Sequence, residues 1–165
     1  MADEPPPAAG EVRLRAVAES DLPVLFEHQR DPDAVRMAAF PSRDREAFFA
    51  HWAKVLADPA AVVRTVLVGG RVAGSVMSWE RDGGRLVGYW VGKEFWGRGV
   101  ATAALGQFLD VVRERPLTAW VARHNVGSVR VLEKCGFAAG GTGTGADRVE
   151  EVEYTLADPG GGHDR

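Results

Sequence analysis

The sequence holds a single cysteine, Cys135. One thiol closes no intrachain disulfide, and without a Cys cluster there is no thiolate site for zinc, so no metal and a reducing, cytoplasmic setting are expected. No window approaches the roughly 18 consecutive apolar residues of a transmembrane helix. The first ten residues, MADEPPPAAG, lack the positive and apolar stretches of a signal peptide. Nor is there an excess of positive charge. The 20 Lys and Arg stand against 23 Asp and Glu, a net charge of −3, whereas a nucleic-acid surface needs basic side chains to displace phosphate counterions. Nucleic acid and membrane are therefore set aside as partners.

What is present fills one core. A chain of 165 residues that is 45% hydrophobic fits one domain better than two. Pro5, Pro6 and Pro7 mark residues 1–10 as a disordered tail, and DPGGGHDR marks 158–165 as another, leaving a single domain over 11–157. Val12, Leu14 and Ala16 alternate with arginines, the period of a half-buried strand. Ser20 is placed to cap a helix over DLPVLFEHQR, and a second helix over about 44–57 brings Phe48, Trp52, Val55 and Leu56 to one face. Between them, DPDAVRMAAF (31–40) is read as a loop. Strands follow at 62–68, 71–80 and 85–92, joined by tight turns at Gly69-Gly70 and Asp82-Gly83-Gly84, which predicts a three-stranded antiparallel meander. From Val100 a helical pattern runs until Pro116 forbids it. Leu117 opens a short strand, 128–135 is helical with Gly136 at its end, a glycine-rich loop occupies 140–145, and 149–156 is the last strand. No internal repeat is visible.

The chemistry concentrates in two segments. In the turn Gly97-Arg98-Gly99-Val100-Ala101-Thr102, glycines let backbone amides approach an anion while the following helix aims its unpaired N–H groups at the same point. That is a cradle for a diphosphate, or simply a glycine-eased turn. A dinucleotide fold would want its glycines after the first strand, and a P-loop would need Gly-Lys-Ser/Thr, so neither fits. The second segment runs from Val121 to Phe137 and contains Asn125, Ser128 and the run Glu133-Lys134-Cys135-Gly136-Phe137.

A Gly-x-Gly-x-Ala loop, a helix, a strand, then N-x-x-S and E-K-x-G-F resembles the Gcn5-related N-acetyltransferase (GNAT) superfamily. Trp96 in the loop and Ser128 three after Asn125 resemble its ribosomal-protein N-terminal acetyltransferase branch. The resemblance implies an α/β fold with a mixed, mostly antiparallel sheet of about six or seven strands, helices on both faces, and parallel fourth and fifth strands that splay apart. It implies acetyl-CoA as cosubstrate, an unidentified amine acceptor, either a small molecule or a protein N-terminus, and a possible homodimer. It puts Trp90, Val91 and Gly92 along the pantetheine arm, with a free N–H near Val91 as oxyanion donor. The amides of Gly97, Arg98, Gly99, Val100, Ala101 and Thr102 would hold the diphosphate, with Lys93 and Arg98 adding positive charge. Asn125 would bind the pantetheine or orient the amine, and Ser128 would lie near the sulfur.

The chain departs from that family where many members carry a tyrosine seven residues after the Asn, because Leu132 stands there. Ser128 then inherits the role of general acid, or serves as a helix N-cap. For the base, Glu80 and His124 are the two candidates. His28 and His51 are read as ordinary helix residues, and Cys135 as a small packing group. Met37 and Phe40 are expected to wall the acceptor pocket. The function so implied is acetyl transfer from acetyl-CoA to a primary amine by direct attack. The alternatives are a catalytically weak acyl-CoA sensor or interaction module with the same fold, and transfer to oxygen or of a longer acyl chain.

Overall fold

Strand order β1-β2-β3-β4-β5-β7-β6 makes one seven-stranded sheet in the computed structural model, which describes residues 11–38, 42–145 and 148–158. The tails expected at 1–10 and 158–165 lie outside those residues, Asp158 excepted. The first four strands, β1 (Val12–Arg15), β2 (Val62–Val68), β3 (Arg71–Arg81) and β4 (Gly84–Val91), pair antiparallel in sequence. Gly69 and Gly70 both take positive φ, as do Asp82 and Gly83, so both turns of the meander have the twist that suits a two-residue hairpin.

Between β1 and β2 run α1 (Leu22–Arg30), α2 (Pro32–Ala38) and α3 (Arg45–Ala57). Two expectations change here. The segment 31–40 begins with a helix rather than a loop, since Pro32 at the first helical position costs no hydrogen bond and Asp31 accepts from Asp33 N at 2.8 Å. Ser20 does not cap α1. Asp21 sits in the cap position, and its carboxylate is turned away, held by Arg15 at 2.7 and 2.9 Å, Ala18 N at 2.8 Å and Thr65 Oγ1 at 2.7 Å.

The second half of the chain contributes α4 (Val100–Val111), β5 (Leu117–Ala122), α5 (Val126–Lys134), β6 (Ala138–Thr144) and β7 (Glu150–Leu156). β5 pairs antiparallel with β7, and β7 with β6. Strand β6 was expected to be a glycine-rich loop. Its sequence AAGGTGT has little strand propensity, but its backbone pairs with β7, with Gly140 and Gly141 bulging opposite Glu153. Helix α5 ends as expected at Gly136: Gly136 N donates to Glu133 O and Phe137 N to Leu132 O, both at 3.0 Å, which is the Schellman pattern.

Each face of the sheet has its own apolar layer. On one, Val66, Val76, Val87, Leu117 and Val121 pack against Leu105 and Phe108 of α4 and Leu132 of α5. On the other, Val63 and Met77 pack against Leu25, Phe26, Phe48 and Trp52 of α1 and α3. Cross-strand partners share a face, so the register assigns Tyr89 to the α4/α5 side with Val76, and Gly88 and Trp90 to the α1/α3 side with Met77 and Ser75. No helix among the described residues is long and apolar enough to cross a membrane.

Candidate functional site

Strands β4 and β5 run parallel and pair at Arg85 with Leu117 and Leu86 with Thr118, and then no further. Beyond that point they part, as expected. Gly92 N donates back to Ala73 O at 2.8 Å, so by strand alternation Tyr89 and Val91 turn their N–H and C=O groups toward the opening, while Trp90 and Gly92 turn theirs toward β3. The indole of Trp96 takes the Val91 carbonyl at 2.9 Å, leaving the Val91 N–H without a strand partner opposite it. In the opening lies a cavity of about 120 Å³, room for about four waters. It spans the sheet: Tyr89, Ser128 and Leu132 line it from the α4/α5 side, and Gly88, Trp120 and Glu151 from the other.

Asn125 and Ser128 come together by capping. Asn125 is the N-cap of α5, and its Oδ1 accepts from Ser128 N at 3.2 Å, satisfying one of the four donors a helix start leaves over. The cap role considered for Ser128 thus falls to Asn125. The Ser128 hydroxyl instead lies 2.6 Å from the Tyr89 hydroxyl. Burial, only partly offset by the Ser128 hydrogen bond, pushes the Tyr89 phenol up to about 12, so it keeps its proton at neutral pH; it donates to the Ser128 carbonyl at 3.3 Å, and either hydroxyl can donate in the contact between the two. A phenol absent from position 132 is therefore present at the same serine, brought by β4. Sequence reasoning missed it, because alternation marks Tyr89 only as a core-facing strand residue. Leu132, in the expected tyrosine's place, is buried with Phe137.

At the start of α4, Gly97 and Gly99 take φ of 75° and 77°, a left-handed conformation that side chains resist. Gly99 is the N-cap, no side chain caps the helix, and the first helical bond is Ala103 N to Gly99 O. The N–H groups of Val100, Ala101 and Thr102 therefore have no helical partner and carry the positive end of the helix dipole. That geometry fits a diphosphate. Of the two nearby cations, Lys93 is paired with Asp33 of α2, and Arg98 stacks over the Phe95 ring at 6.0 Å.

The remaining expected residues are dispersed. Glu80 sits opposite Arg85, with the carboxylate exposed and 3.6 Å from the Arg85 guanidinium, at the closed end of the opening and outside the cavity wall. His124 Nε2 is 2.8 Å from Arg36 O; a carbonyl only accepts, so this nitrogen donates and fastens α2 across the β5–α5 turn. Met37 is partly exposed on α2, whose Ala38 reaches the cavity. Phe40 lies outside the described residues. Cys135 Sγ lies 3.7 Å from Thr102 O, and burial raises its thiol pKa, which suits packing rather than acyl transfer. His28 packs edge-on against Gly92, leaving no room there for a Cβ. Burial pushes its imidazole below the usual histidine range, and its Nδ1, like Nε1 of Trp90, is buried without a hydrogen-bond partner. Among the described residues no His, Cys, Asp and Glu cluster could hold a metal ion.

Several solved structures share this architecture. Mycobacterium smegmatis RimJ in complex with CoA disulfide superposes with a TM-score of 0.77 at 20% identity, over 94% of this chain and 86% of that one. A Vibrio cholerae spermidine N-acetyltransferase bound to CoA and spermine gives 0.75 at 18% identity, over 88% and 94%. The aminoglycoside acetyltransferase AAC(6')-Ib with ribostamycin and coenzyme A gives 0.74 at 20%, over 94% and 98%. At these identities the likeness is one of fold. No curated protein matches the chain by sequence. The model of the acetyltransferase (GNAT) domain, however, matches residues 11–138. With most of the chain inside that match, and with parted β4 and β5 strands above an amide-lined helix start, the chain belongs to the GNAT acetyltransferase family, which uses acetyl-CoA as cosubstrate.

Proposed function

We propose that residues 11–157 form one catalytic domain that moves the acetyl group of acetyl-CoA to a primary amine by direct attack in a ternary complex. The observation that carries this reading is the 2.6 Å Tyr89–Ser128 hydroxyl pair at the wall of the cavity between β4 and β5. A departing thiolate, with a pKa of about 8.5 if it resembles cysteine, needs only modest acid help. Ser128 supplies that proton and Tyr89 stands behind it as a second donor. The Val91 N–H, facing the opening, polarises the thioester carbonyl and stabilises the oxyanion. The amides of Gly97 to Thr102 hold the diphosphate, and Asn125 sets the height of Ser128. Cys135 carries no acyl group.

Release of CoA thiol from acetyl-CoA, followed with a panel of primary amines, tests the reading. Intersecting initial-velocity patterns that persist in Cys135→Ala are expected. Acetyl-CoA binding without thiol release for every amine would instead identify the chain as an acyl-CoA sensor. The low acid demand of the thiolate and the presence of a hydroxyl pair to meet it favour the enzyme.

A further inference from the structure

We infer that Glu151 holds the ammonium group of the acceptor and takes its proton, with Trp120 beside it, so that the acceptor is a protonated aliphatic primary amine. This rests on the acetyl-transfer reading above. Glu151 is the one carboxylate among the described residues lining the cavity, and no Lys or Arg lines it. A cavity whose only charge is negative favours a cation.

The sheet register places this carboxylate on the side that acetyl transfer leaves open. Ala122 pairs with Glu151 and Trp120 with Glu153, so Trp120, Glu151 and Glu153 share the face opposite Tyr89 and Ser128. The thiolate would leave toward one face while the amine arrives from the other. Trp120 is 41% exposed although it is the largest apolar group on its strand, and an indole next to a carboxylate suits an alkylammonium. Glu151 also lacks the partner a structural carboxylate would have. Its side chain forms no hydrogen bond or ion pair with any described residue, and Arg123, in the turn after β5, is already bound to Glu150 at 2.9 Å. Its carboxylate lies against Gly145, where a Cβ would come within 2.4 Å of Oε2. The hairpin thus has no side chain where the Glu151 head group rests.

The steps balance. An ammonium proton moves to the Glu151 carboxylate, and the freed nitrogen lone pair forms the N–C bond to the thioester carbonyl. The C–S bond breaks with its electron pair passing to sulfur, which takes a proton from Ser128 and Tyr89. The second amine proton restores that donor pair, and Glu151 returns its proton to solvent. The products are an amide, the CoA thiol and one proton. An alkylamine of pKa about 10.4 is almost wholly protonated at neutral pH and needs an acceptor for its proton before it can attack, whereas an α-amino group of pKa about 7.7 to 8.0 is already partly neutral.

The test uses the full chain saturated with CoA, titrated calorimetrically with cadaverine, together with thiol release from acetyl-CoA using cadaverine and glycinamide. Glu151→Gln should weaken cadaverine binding at least tenfold and leave CoA binding unchanged. It should also lower kcat/KM more for cadaverine than for glycinamide, with Glu151→Asp intermediate. Cadaverine that fails to bind the wild type, or binds Glu151→Gln equally well, overturns the inference while amine acetylation can still stand. Cadaverine bound through Glu151 with no thiol released does the reverse, upholding the amine site and overturning acetyl transfer.

Discussion

The hydroxyls of Tyr89 and Ser128 meet at 2.6 Å although the residues are 39 positions apart in sequence. One comes from a strand that has just lost its parallel neighbour, the other from the first turn of a helix capped by Asn125. If the pair protonates the thiolate, Ser128→Ala should lower kcat by roughly tenfold to a hundredfold, and Tyr89→Phe by less, because Ser128 and water remain. Since the Tyr89 phenol is held near 12, its deprotonation should add no descending limb to the kcat profile below about pH 10. An unchanged kcat in Ser128→Ala would remove the pair from the reaction.

Asn125 should show its weight first in stability. Removing the cap by Asn125→Ala is expected to cost about 1 kcal/mol, read as a lowered urea midpoint at unchanged m-value. Ser128→Ala, which leaves the cap in place, should shift the midpoint far less. Because Asn125 also sets the position of Ser128, its loss should lower kcat as well, whereas a cap with no functional consequence would leave kcat alone.

Gly99→Ala tests the helix start. A residue with a Cβ held at φ 77° costs about 1 to 2 kcal/mol, and relief of that strain would rotate the amides of Val100 to Thr102. Calorimetric titration should therefore show weaker CoA binding together with a lower melting temperature. A variant that melts lower but binds CoA as tightly as the wild type would show that these amides do not hold the cofactor.

Asp21 governs acid behaviour. Its carboxyl is lowered to about 2, chiefly by the Arg15 hydrogen bond and against the opposing effect of burial, and it is only 2% exposed. A group whose folded pKa lies below its unfolded value stabilises the fold above the unfolded pKa and loses that contribution as pH falls through the folded one. At pH 7 the contribution is about 2 kcal/mol. Urea midpoints of the wild type and Asp21→Asn should differ at neutral pH and converge between about pH 4 and pH 2. A difference independent of pH would contradict the assignment.

Local chemistry made much of the sheet legible. Alternation in 62–92 and the two positive-φ turns define β2 to β4, and the N-x-x-S spacing brings Asn125 to Ser128 because a cap reaches the N3 amide of its own helix. What stayed hidden depends on contacts between distant segments or on backbone alone. Tyr89 reaches Ser128 only once β4 and β5 have parted. Glu151 faces the cavity only through its register with Ala122. The proline that opens α2 reads equally as a loop residue, and Ser20 loses the cap position because it lies inside a 3-10 turn, Glu19–Asp21, whose last residue is fastened to Arg15 and Thr65.

The edge strand β6 is almost bare of buried side chains, so its hold on the domain is the hydrogen-bond ladder to β7 and little else. Protein regions with few buried apolar groups open at lower free energy than the core. Amide hydrogens along 138–144 are thus expected to exchange with solvent deuterium well before those of β3 or α4. Because Gly145, against which the Glu151 carboxylate lies, directly follows this strand, the same local opening should loosen the surroundings of that carboxylate while Tyr89 stays packed against the main apolar layer.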